Sequence, residues 1–170
     1  MKIADKIIKL LLAVFLFTLG VQAQEVKFIH ITDTDMNVNN APKLLKTIKE
    51  INQYKDVDFV VFGGNNISKT NIDNLNTFLY LVKKVKKKTI VLLGSSDVLA
   101  SNGIDKKYYL KRVHNARLRR LSYHSKKPNY SFFCKGYRFI VMDGTKQYFQ
   151  QANGYYSNRE LDWLNKQLTK

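Results

Sequence analysis

Residues that bind metal or attack substrates are scarce in this chain. Cys134 is the single cysteine among 170 residues, which excludes an intrachain disulfide and a cysteine-based zinc site. There are three histidines, His30, His114 and His124, and neither His114 nor His124 stands at metal-ligand spacing to another. Those two read as solvated surface residues. His30 lies inside an apolar run, facing opposite to Ile29 and Ile31, and reads as a packed or edge histidine. Internal repeats and low-complexity linkers are missing, so the chain makes one domain long enough to bury a core. A hydrophobic content of 45% with 12% aromatics excludes wholesale disorder. Acidic side chains are few, 13 against 29 lysines and arginines. That balance favours anionic partners such as phosphates, nucleic acid or acidic membrane surfaces. The basic residues are spread over several segments, and solvation of the surface accounts for most of them.

No apolar run reaches the roughly 20 residues that a transmembrane helix needs. The run from Leu10 to Leu19 is half that length, follows Lys2, Lys6 and Lys9, and leads to Val21-Gln22-Ala23. A basic start, a short apolar middle and small residues at the cleavage position make residues 1–23 a signal peptide, with Gln24 opening the mature chain. Export to the periplasm or the extracellular space follows. If the segment is retained it anchors the chain to a membrane. Residues 24–170 keep 26 basic against 12 acidic residues, a net charge of +14.

Three further apolar runs each stop at a short polar turn: Phe28-Ile-His-Ile-Thr-Asp-Thr-Asp35, Asp58-Phe-Val-Val-Phe-Gly-Gly-Asn-Asn66 and Thr89-Ile-Val-Leu-Leu-Gly-Ser-Ser-Asp97. Val26 to Ile31 reads as a buried strand, Phe59 to Phe62 as a second and Ile90 to Leu93 as a third. Leu44, Leu45, Ile48 and Ile51 recur at helical spacing behind Pro42, which a first helical turn tolerates. Ile72 to Val85 carries Leu75, Phe78, Leu79 and Val82 on one face and ends in lysines, which suit a helix C-terminus. The βαβαβ order points to parallel strands, and ligands of open α/β sheets gather beyond the strands' carboxyl ends. The second half differs. Tyr108 to Arg120 reads as a basic helix. Tyr130 to Phe133 and Tyr137 to Met142 read as strands around the hairpin signal Lys135-Gly136. Ser157 and Glu160 make a capping box for a last helix with apolar positions Leu161, Leu164 and Leu168.

The ordered turns resemble the calcineurin-like metallophosphoesterases. That family shows a strand ending in Asp-x-His, a second ending in Gly-Asp and a third ending in Gly-Asn-His-Asp/Glu. Here the counterparts are Asp33-Thr34-Asp35, Gly64-Asn65 and Gly94-Ser95-Ser96-Asp97. Tyr137 to Gly144 resembles the following strand, and Asn153 to Leu164, with Leu161-Asp-Trp163-Leu164, the helix after it. The resemblance covers residues 26–170. It implies an αββα sandwich, here incomplete at its C-terminal side, and a pair of divalent ions (Mn, Mg, Fe or Zn) that hydrolyse phosphate esters.

On that resemblance the metal-site candidates are Asp33, Asp35, Asn65 and Asp97. Asp35 replaces a histidine and suits harder ions such as Mg²⁺, Mn²⁺ or Ca²⁺. Asn65 stands in place of the bridging aspartate, and a neutral amide bridges two cations poorly. Ser95 replaces an asparagine ligand, and Ser96 the histidine that assists catalysis. The family's later His and Gly-His-x-His motifs have no counterpart before Lys170. The expected function is therefore an exported phosphoesterase-family domain with a degenerate metal site and little or no phosphatase activity. The alternative is a non-enzymatic binder of anionic ligands. Its residues would be Lys83, Lys84, Lys86, Lys87, Lys88, Arg117, Arg119 and Arg120, with Tyr108 and Tyr109 offering weak support for stacking. No nucleic-acid motif is present. An incomplete sandwich would also leave open strand edges that invite self-association.

Overall fold

The structure, a computed structural model, describes residues 24–119, 127–148 and 153–169. The signal peptide expected over residues 1–23 lies outside the described residues, as do Arg120 and His124.

Strands Phe28–Ile31 (β1), Phe59–Phe62 (β2) and Lys88–Val91 (β3) form a parallel sheet in the order β1-β2-β3. Phe28, Phe59 and Lys88 stand in register at one end, and Ile31, Phe62 and Val91 at the other. Parallel neighbours need long crossovers, which helices Ala41–Ile51 (α1) and Ile72–Val82 (α2) supply. Pro42 sits in the first turn of α1, which buries Leu44, Ile48 and Ile51. The Asn71 side chain caps α2 by accepting from Asp73 N and Asn74 N.

Three expectations shift. β1 is an edge strand, not a buried one: Phe28 and His30 are exposed and Ile29 and Ile31 half-buried. Composition does not say which apolar run takes the centre. β2 takes it, with Phe59, Val60 and Phe62 buried. β3 starts at Lys88 instead of Ile90, because its pairing runs the length of β2 and ends where β2 turns at Gly63. α2 ends at Val82, since Lys84 N and Val85 N bond carbonyls only three residues back, those of Leu81 and Val82.

In the second half, helix Lys106–Asn115 (α3) starts two residues earlier than expected because Asp105 caps it, accepting from Tyr108 N at 2.6 Å. It stops before Arg117, which sits at φ 52°. Strands Tyr130–Cys134 (β4) and Tyr137–Val141 (β5) pair antiparallel. Their two-residue connection holds Lys135 at φ 48° and Gly136 at φ 81°, as a primed hairpin turn requires. Helix Asn158–Leu168 (α4) begins at the Ser157–Glu160 capping box.

These elements stack in layers. Residues of α1, α2 and α3 share one core with Val60, Phe62 and Val91 on one face of the sheet. On the other face Phe59 and Ile90 meet Tyr130 and Phe132 of the hairpin. The Phe59 ring meets Phe132 and Phe139 edge-on at 5.7 and 5.1 Å. α4 lies against the hairpin through Ser131 Oγ, which donates to Gln167 Oε1 at 3.2 Å. The result is the helix, sheet, sheet, helix order of a metallophosphoesterase-like partial fold, with two strands in the second sheet among the described residues. Two ion pairs reinforce this packing: Lys135 of the hairpin turn to Asp58 ahead of β2 at 2.9 Å, and Lys106 of α3 to the buried Asp143 after β5 at 2.7 Å. The apolar face expected on α4 stays open, with Leu161 42% and Leu168 67% exposed.

Phe59→Ala removes the ring on which both sheets converge. It should cost about 3–5 kcal/mol of unfolding free energy, read from urea denaturation. A loss below about 1 kcal/mol, the size of a single methylene, would show that the two layers do not share this ring.

Candidate functional site

All three polar turns follow the carboxyl ends of β1, β2 and β3, so the parallel register brings them together. Backbone bonds zip the first turn to the second: Asp33 N donates to Gly64 O, Asp35 N to Asn65 O and Met36 N to Asn66 O. Thr34 Oγ1 adds a bond to Asn66 O at 2.7 Å. The conformation is costly locally. Asp33, Asp35 and Asn65 sit at φ 53°, 39° and 50°, a region that non-glycine residues seldom enter. Asparagine and aspartate tolerate it best, which suits the residue types found here.

The second and third turns approach even more closely. A Cβ on Gly94 would lie 2.0 Å from Asn65 N and 2.5 Å from Asn65 Oδ1. Glycine is therefore required there, and its absence of side chain lets the Asn65 amide enter the centre. Asn65 Nδ2 donates to Asp33 Oδ1 at 2.9 Å. Asn65 Oδ1 accepts from Ser96 N and Ser96 Oγ, both at 3.2 Å, and from Ser95 Oγ at 3.4 Å. One side chain thus links all three turns. Ser96 is held from behind as well, its carbonyl accepting from Thr70 Oγ1 at 2.6 Å.

Asp97 has a different place from the other candidates. It is fully buried. Its Oδ1 accepts from Asn66 N at 2.6 Å and Ile67 N at 2.9 Å, and its Oδ2 from Gly94 N at 2.8 Å and Asn66 Nδ2 at 3.0 Å. Each of its two oxygens accepts two N–H groups, so Asp97 organises the turns after β2 and β3. Burial pushes its carboxyl up to about 7, against the pull of these donors. The exposed Asp33 carboxyl moves the other way, held below its ordinary value by the Thr32 hydroxyl and the Asn65 amide. Asp33 and Asp35 both line a cleft of about 370 Å³ beside Lys43.

Sequence reasoning missed Asn66. It is buried, and its Nδ2 also donates to Leu92 O at 2.8 Å and to the Tyr109 hydroxyl at 3.1 Å. Tyr109 is fully buried beneath the turns, which corrects its reading as a surface stacking residue. The repeated asparagine after Gly63-Gly64 was the available signal, since a second amide in a strand-end turn is placed to bond the next strand's carbonyl.

The residues do not fit a two-metal centre. Two cations held a few ångströms apart call for an anionic bridge between them. Here a neutral amide occupies the bridge position with its polar atoms hydrogen-bonded, and the Ser95 hydroxyl stands at a ligand position. Among the described residues no group of three or more His, Cys, Asp or Glu side chains could hold a metal ion.

The basic candidates lie elsewhere. Lys83 to Lys88 lead into the amino end of β3, opposite the turns. Lys84 Nζ stands 4.4 Å over the Tyr80 ring, and Lys87 Nζ donates to Lys55 O at 3.0 Å. Arg119 O accepts from Thr89 N at 2.5 Å, so the exposed Arg117 and Arg119 join the same end.

Comparison with known proteins gives three findings. The calcineurin-like phosphoesterase family matches this chain over residues 26–169. No curated protein matches it. Among solved structures, a protein of unknown function, AQ665, from Aquifex aeolicus is similar at TM-score 0.42 and 14% identity, covering 85% of this chain and 74% of that one.

Asp97→Asn places an amide nitrogen among N–H donors and should cost about 2–4 kcal/mol. The folded carboxyl titrates near 7 against an ordinary 3.8, so the folded state binds the proton more tightly than the unfolded. Its contribution to stability is therefore full below about pH 4 and falls as pH rises to about 7. Denaturation should show a larger gap between wild type and variant at about pH 5 than at about pH 8. An equal gap at both would remove Asp97 as the titrating group.

Proposed function

This chain belongs to the calcineurin-like phosphoesterase family, and from that premise we propose that it is an exported member in which side-chain hydrogen bonds stand in for the metal pair, leaving little or no phosphatase activity. One observation carries the reading: the Asn65 amide, standing where the resemblance has the bridging aspartate, spans Asp33 and Ser95, two positions that the resemblance gives to metal ligands. A phosphoryl-transfer site works by concentrating positive charge on the phosphoryl oxygens and by activating a water. An amide with both ends engaged does neither. Ser96 puts a hydroxyl where the resemblance has an imidazole, and a serine hydroxyl is a poor proton donor to a leaving oxygen. Export rests on the basic start, apolar run and Val21-Gln22-Ala23 of the first segment. No helix among the described residues is long and apolar enough to cross a membrane.

A second reading, binding of anionic ligands, is favoured by a specific contact. The Thr89–Arg119 hydrogen bond gathers two basic runs, separate in sequence, at one end of the sheet.

An aryl phosphate assayed with Mn²⁺ should show no turnover above that of the Asp33→Ala variant. Turnover that Asp33→Ala abolishes would sink the non-hydrolytic reading. Asn65→Asp tests the carrying observation directly, because it sets a second carboxylate against Asp33, where the amide donates at 2.9 Å. The variant should melt lower than wild type in EDTA and recover on adding Mn²⁺. Wild type should melt at the same temperature in both.

A further inference from the structure

We propose that the amino end of the parallel sheet is a membrane-facing surface that docks on anionic phospholipid headgroups. This rests on the anion-binding reading above and names the anion. The first support is the sorting of charge along the strands. Asp33, Asp35 and Asp97 lie at the carboxyl ends, whereas Lys84, Lys86, Lys87, Lys88 and Arg119 collect at the amino ends. The two helix ends there are tied together by Asn52, which donates to Lys84 O and accepts from Lys86 N. Of the acids at this end, Asp58 is paired with Lys135 and Glu25 with Lys27, while Asp56 is exposed beside Lys55. Lysines that merely complement a helix macrodipole belong in its last turn. Lys86 to Lys88 stand beyond the end of α2 and run into β3, and Arg119 lies past α3.

The second support is aromatic. Phe28 opens β1 and is 49% exposed, Tyr54 follows α1 and is 60% exposed, and Tyr80 in α2 is 63% exposed. Phe28 and Tyr54 share a cleft of about 420 Å³ with Lys27, Lys55 and Asp56. Aromatic rings interleaved with cations are the composition that settles at a membrane–water interface. The third support is where the chain enters. Lys135 Nζ donates to Glu25 O, and β1 begins three residues later, so the described chain starts at this same end. In the chain that keeps residues 1–23, the form that the segment would anchor, the apolar run Leu10 to Leu19 lies just upstream of this end. Any membrane contact made by that run leaves the basic end nearest the bilayer, where each cation close to an anionic surface adds about fivefold to binding. A nucleic acid would be served by the charges but not by the apolar run.

Vesicle flotation of the full chain tests this, using phosphatidylcholine alone and phosphatidylcholine mixed with phosphatidylglycerol. The anionic vesicles should bind at least tenfold more tightly, and the preference should shrink as salt is raised. The combined variant Lys86→Glu, Lys87→Glu, Lys88→Glu should lose that preference while keeping its residual binding to neutral vesicles. If its melting curve shows loss of fold, Lys86→Gln with Arg119→Gln replaces it, with a smaller loss of the same preference expected. Equal binding to both vesicles would overturn the proposal and assign the contact to the apolar run. Duplex DNA that binds where anionic vesicles do not would overturn the lipid assignment alone. Binding to neither DNA nor anionic vesicles would overturn the anion-binding reading with it.

Discussion

Asp97 receives its hydrogen bonds from two loops at once. Asn66 and Ile67 reach it from the turn after β2, and Gly94 from the turn after β3. A carboxylate buried among backbone N–H groups holds those groups in one arrangement, because any rotation of either turn would strand several buried donors together. The rest of the carboxyl-end architecture follows from that fixed pair. Gly94 is held against Asn65, closely enough that no other residue type fits. Asn65 is thereby aimed at Asp33 on one side and Ser96 on the other.

The same constraint explains why strained backbone persists at the surface of this site. Asp33, Asp35 and Asn65 sit at positive φ without being glycine, at a cost of order 1–3 kcal/mol each. They are held there by backbone bonds between the first two turns and by the Asn65 amide between the outer two. On the proposed reading, an amide that satisfies carboxylate and hydroxyl together keeps these loops in place by a chemically different means from a metal pair. It fixes geometry but supplies no positive charge for a phosphoryl group.

The molecule is also divided along its strand axis. Polar turns gather at one end, and the lysine run after α2 and exposed rings at the other. Much of this was legible in the residues. Apolar runs ending in Thr-Asp, Gly-Gly and Gly-Ser announced the parallel strands and their shared end, and Lys135-Gly136 announced the hairpin through its need for positive φ. The Ser157–Glu160 pair announced the last helix and forms its capping box. Harder to see was the edge position of β1, whose Phe and Ile content matches that of a central strand. The separate task of Asp97 was hidden as well. A sequence shows a carboxylate at a strand end, but not whether it points outward to a ligand or inward to the loops.

By itself the sequence determined the order of elements, the caps and turns that end them, and the positions where a family pattern is kept or changed. Those are local properties, set by side-chain periodicity, hydrogen-bonding type and allowed φ. Tertiary structure alone decided which carboxylate is buried, which amide bridges the turns, and that lysines 83–88 meet Arg119 at one end. Each of these depends on contacts between residues some thirty positions apart, as in Asn65 with Asp33 and Thr89 with Arg119. The register of parallel strands sets such contacts, and neighbouring residues carry no record of it.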